Sequence, residues 1–262
     1  MDLLIDKRRV ADSFSKAAQT YDSVADLQRE VGQELLAYLP QQSVSTMMDL
    51  GCGTGYFTPK LKHAYPDATL LNLDLALGML QFSRAQRCED QTHWICADAE
   101  ALPIADQQLD LIFSSLAIQW CEDVEGLFSE ISRVLKPGGR FVVATLGPDT
   151  LKELRQAWSH ADSFTHVNQF MPVEQLKAAL PEALCCQTLE QQNKVLRYSQ
   201  LKQLTDELKR LGAHNMNAGQ QQGLTGRERV RRFKEGYEQQ RLDDGALPAT
   251  YQVIYAVFEK EV

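Results

Sequence analysis

Residues 47–56 read Met-Met-Asp-Leu-Gly-Cys-Gly-Thr-Gly-Tyr, and this stretch decides the fold. A short apolar run ends in an acid, and three glycines follow at alternate positions, Gly51, Gly53 and Gly55. Glycine adopts positive φ without steric cost and lets the backbone approach a ligand closely. A strand that ends in such a loop and continues as a helix predicts a nucleotide-type pocket at the carboxyl end of the strand. The spacing is not that of dinucleotide-binding folds, because Tyr56 stands where their third glycine belongs.

Acidic residues stand at the ends of further predicted strands. Residues 68–74 predict a buried strand ending in Asp74, about twenty residues beyond the glycines, as expected for an acid that binds ribose hydroxyls. Residues 92–98 predict a third strand ending in Asp98. A single strand-end acid often only caps the next helix. Asp49, Asp74 and Asp98 in register with a glycine loop favour a ligand pocket instead.

The rest of the chain alternates between strand and helix patterns through about residue 147. A fourth strand is predicted over 109–115, and the turn 136–139, Lys-Pro-Gly-Gly, leads into a fifth over 140–145. A sixth strand is predicted within 183–197 and a seventh over 251–259.

Helices are predicted on both sides of these strands. Residues 8–21 have an apolar face, and a second helix over about 26–39 begins at Asp26, a residue type suited to an N-cap. Because both precede the first strand, they lie beside or over the sheet. Thr150 and Glu153 have the spacing of a capping box. Residues 199–248 predict two helices joined by 212–226, inserted before the last strand.

Composition excludes several classes of protein. A chain of 262 residues with 44% hydrophobic and 24% charged residues is long enough for one α/β domain with an appendage. The sequence has neither an apolar run of membrane-spanning length nor a signal-peptide core. Its six cysteines are scattered, which favours reduced thiols in a cytoplasmic protein over disulfides or a zinc site. The net charge of −8 argues against a nucleic-acid partner.

The glycine loop resembles the first motif of class I S-adenosylmethionine-dependent methyltransferases. This resemblance implies a Rossmann-like α/β fold whose seven-stranded sheet is mostly parallel, with the last strand antiparallel. It also implies an N-terminal helical lid. We expect one methyltransferase domain over 1–262, divided into lid helices, a donor-binding half, the remaining helices and strands, and a helical insertion for the acceptor: 1–40, 45–147, 148–198 with 249–262, and 199–248.

More specific segments resemble one family, the malonyl-acyl-carrier-protein O-methyltransferases of biotin synthesis, from end to end. They are 14–22, 115–123, 166–170, 211–215 and 247–251. The resemblance implies transfer of a methyl group from S-adenosylmethionine to the free carboxylate of a malonyl thioester. S-adenosylhomocysteine is then the second product, and no metal is needed. The partner is malonyl-acyl-carrier protein or malonyl-CoA, and neither nucleic acid nor a membrane is involved.

The resemblance also implies site residues. In that family the acid corresponding to Asp98 contacts the adenine amino group. The expected donor-binding residues are Asp49, Gly51, Cys52, Gly53, Gly55, Asp74, Leu75, Met79, Asp98, Ala99, Ser115 and Leu116. A malonyl carboxylate is already ionised near neutral pH, so no acid or base catalyst is expected. The residues expected to position the acceptor are Tyr21, His166, Asn168, His214 and Asn215.

Residues expected to contact the substrate or its carrier include Trp120 and a basic run in the insertion, Arg227, Arg229, Arg231, Arg232 and Lys234. Simpler interpretations stay open: Tyr21 and Trp120 as core residues, the histidines and asparagines as turn or capping residues, and the basic run as a solvated face. Two other functions also stay open. One is methylation of a small acid or a quinone precursor, and the other is non-catalytic binding of S-adenosylmethionine.

Overall fold

A computed structural model describes residues 5–213 and 226–262. Seven strands form one sheet in the order β3-β2-β1-β4-β5-β7-β6. Their bounds are β1 Thr46–Leu50, β2 Thr69–Asp74, β3 Thr92–Cys96, β4 Leu109–Ser115, β5 Leu135–Leu146, β6 Leu184–Tyr198 and β7 Leu247–Lys260. β7 is antiparallel to both of its neighbours, while the pairs among β1 to β5 are parallel. The predicted sheet is confirmed.

Nine helices are found in the described part of the chain. They are α1 Lys7–Tyr21, α2 Asp26–Leu35, α3 Thr58–Ala64, α4 Leu77–Gln86, α5 Val124–Val134, α6 Lys152–Ser159, α7 Val173–Ala178, α8 Leu201–Leu211 and α9 Arg227–Glu238. Apolar side chains of α2 and α6 pack on one face of the sheet with Met47 and Phe113, and those of α5 pack on the other face with Met48 and Ile112. The insertion provides α8 and α9, which confirms its two predicted helices.

The topology positions the site. β1 is the third of the seven strands in the sheet, and the chain goes to β2 and β3 on one side of it and to β4 and β5 on the other. Ligands of doubly wound sheets bind where the strand order reverses, outside the carboxyl ends of the strands. Asp49, the glycine loop, Asp74 and Ser115 therefore converge at one edge of the sheet.

Two predictions about helix caps are wrong, although α2 begins at Asp26 as predicted. Ala25 is the N-cap of α2, and Asp26 is its first residue, bonded to Arg29 one turn later. The capping box at the start of α6 does not form, because Leu151 is the N-cap, with a φ of 54°. Glu153 instead accepts a hydrogen bond of 2.9 Å from the backbone of Thr250. The partner of Glu153 therefore comes from β7, which the spacing of residues near Glu153 in the sequence does not predict.

Two strand boundaries also differ from the sequence prediction. β3 ends at Cys96, so that Asp98 lies in the loop beyond it. The turn over 136–139 is a bulge inside β5 rather than a lead-in to it. Leu135 already pairs with Leu109, and the register resumes with Leu111 opposite Arg140. Gly138 at the tip has a φ of 76°, a conformation that favours glycine.

No helix in the described ranges is both long and apolar enough to span a bilayer.

Candidate functional site

The loop after β1 has the geometry that its glycines predict. Gly51, Gly53 and Gly55 have φ values of 74°, 53° and 71°. A Cβ at Gly51 would lie 2.2 Å from the Cβ of Ala117, and one at Gly55 would lie 2.2 Å from the Oγ of Ser83. A Cβ at Gly53 would meet no atom within 4 Å. Two glycines therefore allow close packing of the loop, while the third faces open space where a ligand can approach the backbone.

A cavity of about 800 Å³ lies between this loop, the ends of the strands and α1. We call it the donor cavity. Nine of the twelve predicted donor-binding residues line it: Gly51, Gly53, Asp74, Leu75, Met79, Asp98, Ala99, Ser115 and Leu116. Asp49 and Cys52 line a smaller adjoining cavity of about 460 Å³, and Gly55 is among the lining residues of neither. α1, the helix expected to form a lid, adds four residues that were not among the predicted donor-binding residues: Lys7, Val10, Ala11 and Phe14.

Asp74 is held by the backbone on both oxygens. Its Oδ2 accepts from the N–H of Gly53 at 2.8 Å, and its Oδ1 accepts from the N–H of Ala76 at 2.7 Å. Burial raises the pKa of Asp74, although these backbone bonds oppose the rise. A carboxylate oxygen has further lone pairs, so both can still accept from a ligand. Asp74 therefore both supports the loop and offers acceptors to the donor cavity.

Asp49 is different, because its Oδ2 is buried without a hydrogen-bond partner. Burial, with a smaller effect of the nearby Asp74, raises the pKa of Asp49 to about 8. The Oε1 of Gln28 and the Oγ of Ser115 are also buried and unpartnered, and both residues line the same small cavity. Buried polar atoms without partners are rare in native structures. A ligand with a polar, positively charged end would satisfy these acceptors.

The predicted adenine contact, Asp98, is bound to α1. Its Oδ2 accepts from Lys7 Nζ at 2.6 Å, and Lys7 also pairs with Glu100 at 2.6 Å. The other oxygen of Asp98 accepts from the N–H of Glu100. At the opposite end of α1, Asp22 accepts from Thr54 Oγ1 at 2.7 Å and from Arg87 at 2.8 Å. Both ends of the helix are thus fastened to the donor-binding half.

A second cavity of about 1160 Å³ lies on the other side of α1, and we call it the acceptor cavity. Both cavities are lined by Phe14, Tyr21, Leu116 and Trp120, which form their common wall. The rings of Phe14 and Trp120 pack edge to face at 5.4 Å. Burial raises the pKa of Tyr21 well above its usual value, so the phenol stays neutral. The structure therefore places a neutral hydroxyl where the two cavities meet.

The acceptor cavity also brings together the predicted residues Tyr21, Trp120, His166 and Asn168. His214 and Asn215 lie outside the described residues, although the preceding Ala213 lines the cavity. No arginine is found among the described residues that line it. The basic side chains among these lining residues are Lys209, which is exposed on α8, and His166.

The basic run on α9 is mostly neutralised by neighbouring acids. Arg231 pairs with Glu228 and Glu235, and Arg232 pairs with Glu228. The side chain of Arg229 instead packs against the loop between α6 and α7, where its Nε donates to Asp162 at 2.9 Å. The structure thus separates Arg229 from the exposed members of the run.

Comparisons with known proteins agree with this geometry. A family profile described as "Methyltransferase domain" matches residues 48–143. The solved structure of an S-adenosylmethionine dependent methyltransferase from Mesorhizobium loti has a TM-score of 0.54 at 19% identity. It covers 87% of this chain and 96% of that one, and at this identity it supports the fold alone.

Two curated relatives match almost the whole chain. The biotin biosynthesis bifunctional protein BioHC of Cellvibrio japonicus is 51% identical over 98% of this chain, which spans only 51% of that protein. The malonyl-acyl-carrier protein O-methyltransferase of Hahella chejuensis is 41% identical, over 98% of this chain and 91% of that protein. At this identity and coverage, the chain belongs to the malonyl-acyl-carrier protein O-methyltransferase family.

Proposed function

We propose that this chain transfers the methyl group of S-adenosylmethionine to the free carboxylate of a malonyl thioester on acyl-carrier protein, which yields the methyl ester that starts pimeloyl formation for biotin synthesis. The observation that carries the proposal is the common wall of two cavities at Phe14, Tyr21, Leu116 and Trp120. One cavity has the acids and glycines of a donor site, and the other has apolar walls with a few polar groups. The names and near-full coverage of the relatives support the carboxylate of a malonyl thioester as acceptor.

The residues of the donor cavity fit S-adenosylmethionine. Asp74 would accept from the ribose hydroxyls, and Gly53 leaves room for the ligand against the backbone. The unpartnered Asp49 Oδ2, with Gln28 and Ser115 beside it, suits the α-ammonium group of the methionine end. Asp98 lies where it can accept from the adenine amino group while Lys7 offsets its charge. The donor supplies a sulfonium methyl group, which is electrophilic without help from a metal.

The acceptor cavity suits a reaction that destroys charge. A cationic sulfonium and an anionic carboxylate both become neutral, so the transition state is less polar than the reactants. A permanent cation on the attacking oxygen would stabilise the reactants more than the transition state. The described lining has no arginine, and it offers Tyr21, Asn168 and His166 as orienting groups. Catalysis then rests on holding the oxygen in line with the methyl group at about 3–3.5 Å, with water excluded by α1.

The proposal includes a single catalytic domain whose insertion, residues 199–248, receives the acyl carrier. α8 supplies Thr205, Leu208, Lys209 and Leu211 to the wall of the acceptor cavity. Thr205 and Lys209 are exposed, so the cavity reaches the surface beside this helix. A malonyl group on a long arm can enter there while its carrier stays outside.

The direct test is incubation of the purified chain with S-adenosylmethionine and malonyl-acyl-carrier protein, followed by intact-mass measurement. The expected result is a gain of one methyl group on the carrier-bound species and formation of S-adenosylhomocysteine. Acetyl-carrier protein, which has no free carboxylate, is the matched control and should gain nothing. Malonyl-CoA tests whether the carrier itself is needed. Donor binding without methylation of either malonyl thioester would refute the proposal.

A further inference from the structure

A half-buried polar assembly of Asp162, His166 and Arg229 lies beside the acceptor cavity, with its first two members in the loop between α6 and α7. The Nε2 of His166 lies 2.8 Å from the Oδ1 of Asp162, and the Oδ2 of Asp162 accepts from Arg229 Nε at 2.9 Å. The backbone N–H of Phe164 also donates to Asp162, at 2.9 Å. The side chain of Asp162 is only 10% exposed, that of His166 20% and that of Arg229 34%. Each of the three groups is thus partly withdrawn from water and has a charged or polar partner within the assembly.

Aromatic rings fix the plane of the imidazole. The His166 ring stacks on Trp158 with centroids 3.8 Å apart and an angle of 12° between the planes. Trp158 in turn stacks on Phe233 of α9 at 4.0 Å and 14°. Arg229 lies over the ring of Phe164, at 5.2 Å from its centroid. His166 is therefore held on one side by a hydrogen bond and on one face by a stack, and it lines the acceptor cavity.

The ionisation of Asp162 determines which ring nitrogen of His166 remains to bind a ligand. Burial alone would raise the pKa of Asp162, but hydrogen bonds from Arg229, the Phe164 backbone and His166 lower it below its usual value. An ionised carboxylate only accepts, so Nε2 of His166 must carry a proton and donate it to the bond. The Nδ1 atom then remains for a ligand, since no bond to it is recorded among the described residues.

We propose that Asp162 is a positioning residue that holds His166 to bind the carboxylate of the acceptor in this cavity, and that Arg229 belongs to this assembly rather than to a docking surface for the carrier. The inference rests on the proposed function, because it assigns a residue to the carboxylate of the malonyl thioester. Nδ1 can donate to that carboxylate when the ring carries both protons, while Nε2 keeps its bond to Asp162.

The arrangement also suits the loss of charge during the reaction. A lone cation facing the carboxylate would lose its counter-charge as the methyl group arrives. Here Asp162 remains beside the His166 ring, and Arg229 remains beside Asp162, so the protein groups keep their own partners. His166 can thus orient the substrate with a smaller penalty in the transition state than an unpaired arginine would impose. The methyl ester, which has no charge, should bind His166 less well than the carboxylate does.

A double-mutant cycle tests the inference. Asp162→Ala and His166→Ala are each expected to lower kcat/KM for the malonyl thioester about tenfold to a hundredfold, the effect of one lost bond to a charged group. The double variant should be no worse than His166→Ala alone, because Asp162 acts through His166. Asp162→Asn, which keeps an acceptor oxygen, should lose less than Asp162→Ala. Arg140→Gln, which breaks a comparable partly exposed ion pair with Glu259 outside the lining of both cavities, is the matched control and should behave like the wild type.

Binding measurements make the result independent of turnover. With S-adenosylhomocysteine bound, the wild type should prefer malonyl-CoA over its methyl ester, and His166→Ala should lose that preference. Affinity for S-adenosylhomocysteine should stay within about twofold in all variants, which shows that they are folded. Additive losses in the cycle, or an unchanged preference in a folded His166→Ala variant, would overturn the inference. Absence of methylation by the wild type would refute the proposed function instead, while the binding cycle would still report on Asp162 and His166.

Discussion

Two carboxyl groups near the ends of adjacent strands, the buried Asp49 and the half-buried Asp74, differ in their hydrogen bonds. Asp74 accepts backbone hydrogen bonds on each oxygen, whereas Oδ2 of Asp49 has no partner. Burial raises the pKa of both residues, but the backbone bonds oppose the rise for Asp74. Asp49 has no comparable compensation, which suggests that it awaits a cationic partner. Asp74 is already positioned by the loop that it supports.

Replacing Asp74 by Ala should weaken donor binding at least about tenfold. Bonds to charged groups contribute roughly 1.5–3 kcal/mol each, and roughly 1.4 kcal/mol is one decade in affinity. Calorimetric titration with S-adenosylhomocysteine measures the loss. The variant Asp110→Asn is a useful control, since Asp110 lies on β4 away from the described lining of the donor cavity. Unchanged affinity in folded Asp74→Ala protein would remove Asp74 from the ribose contact.

Replacing Asp49 by Asn should stabilise the ligand-free protein at pH 8. Because the pKa of about 8 in the folded protein lies above the ordinary value of 3.8, the unfolded chain releases the proton first as the pH rises. The carboxyl group therefore costs stability increasingly between those two pH values. The gain in the variant should exceed about 1.4 kcal/mol at pH 8, the equivalent of one pKa unit, and vanish near pH 4. Denaturant unfolding at several pH values measures it, and a gain independent of pH would contradict the assignment.

At the scale of elements, α1 separates the donor cavity from the acceptor cavity, since its residues Phe14 and Tyr21 line both. Its N-terminal end is bound through Lys7 to Asp98 and Glu100, and its C-terminal end through Asp22 to Thr54 and Arg87. Ser13 and Thr20 also donate to the backbone at the end of α8. Because α1 is bonded to both the donor-binding half and the insertion, we expect ligands in either cavity to affect its position. The lid function itself stays a prediction.

Donor binding should slow amide hydrogen exchange over residues 8–24. The bound donor would bury the inner face of α1 and make opening of the helix costlier. Lys7→Met should weaken this protection and lower donor affinity about two- to fivefold, as expected for a partly exposed ion pair worth roughly 0.2–1 kcal/mol. Lys16→Met, on the exposed side of the same helix, should change neither quantity. Equal exchange with and without donor would argue against a mobile lid.

At the scale of the whole molecule, the net charge of −8 makes any cationic surface important for an acidic partner. The exposed face of α9 has four cations, Arg227, Arg231, Arg232 and Lys234, and three anions, Glu228, Glu235 and Glu238. Four minus three leaves a single net positive charge, and Arg229 is engaged with Asp162. This face of α9 therefore has less net positive charge than the run of basic residues in the sequence indicates.

The double reversal Arg231→Glu with Arg232→Glu should raise KM for an acidic carrier-bound substrate by no more than about thirtyfold, because exposed charges contribute roughly 0.2–1 kcal/mol each. The effect should shrink at physiological salt, where such charges are screened. Turnover of malonyl-CoA should be spared. Steady-state kinetics with both substrates at low and physiological salt make the measurement. Equal losses for both substrates would indicate a structural role, and no change for either would place carrier docking elsewhere.

The sequence by itself determined the sheet, the glycine loop and the acids that end its strands. These features depend on local properties: apolar runs form strands, glycine permits positive φ, and a parallel sheet collects its strand ends at one edge. Nine of the predicted donor-binding residues accordingly line one cavity. The same locality explains the errors. Thr150 and Glu153 have the spacing of a capping box, but their partners come from β7, and Glu153 bonds to Thr250, 97 residues away.

Only the tertiary structure decided which long-range partners the charged and aromatic side chains take. Lys7 meets Asp98 across 91 residues, and Arg229 meets Asp162 across 67. Neither pair has a signal in residue spacing, because a long side chain can reach any acid that packing brings near it. The same packing places α1 between the cavities and puts His166 against Trp158. Local sequence thus specifies where a ligand can bind, whereas packing between distant segments specifies what surrounds it.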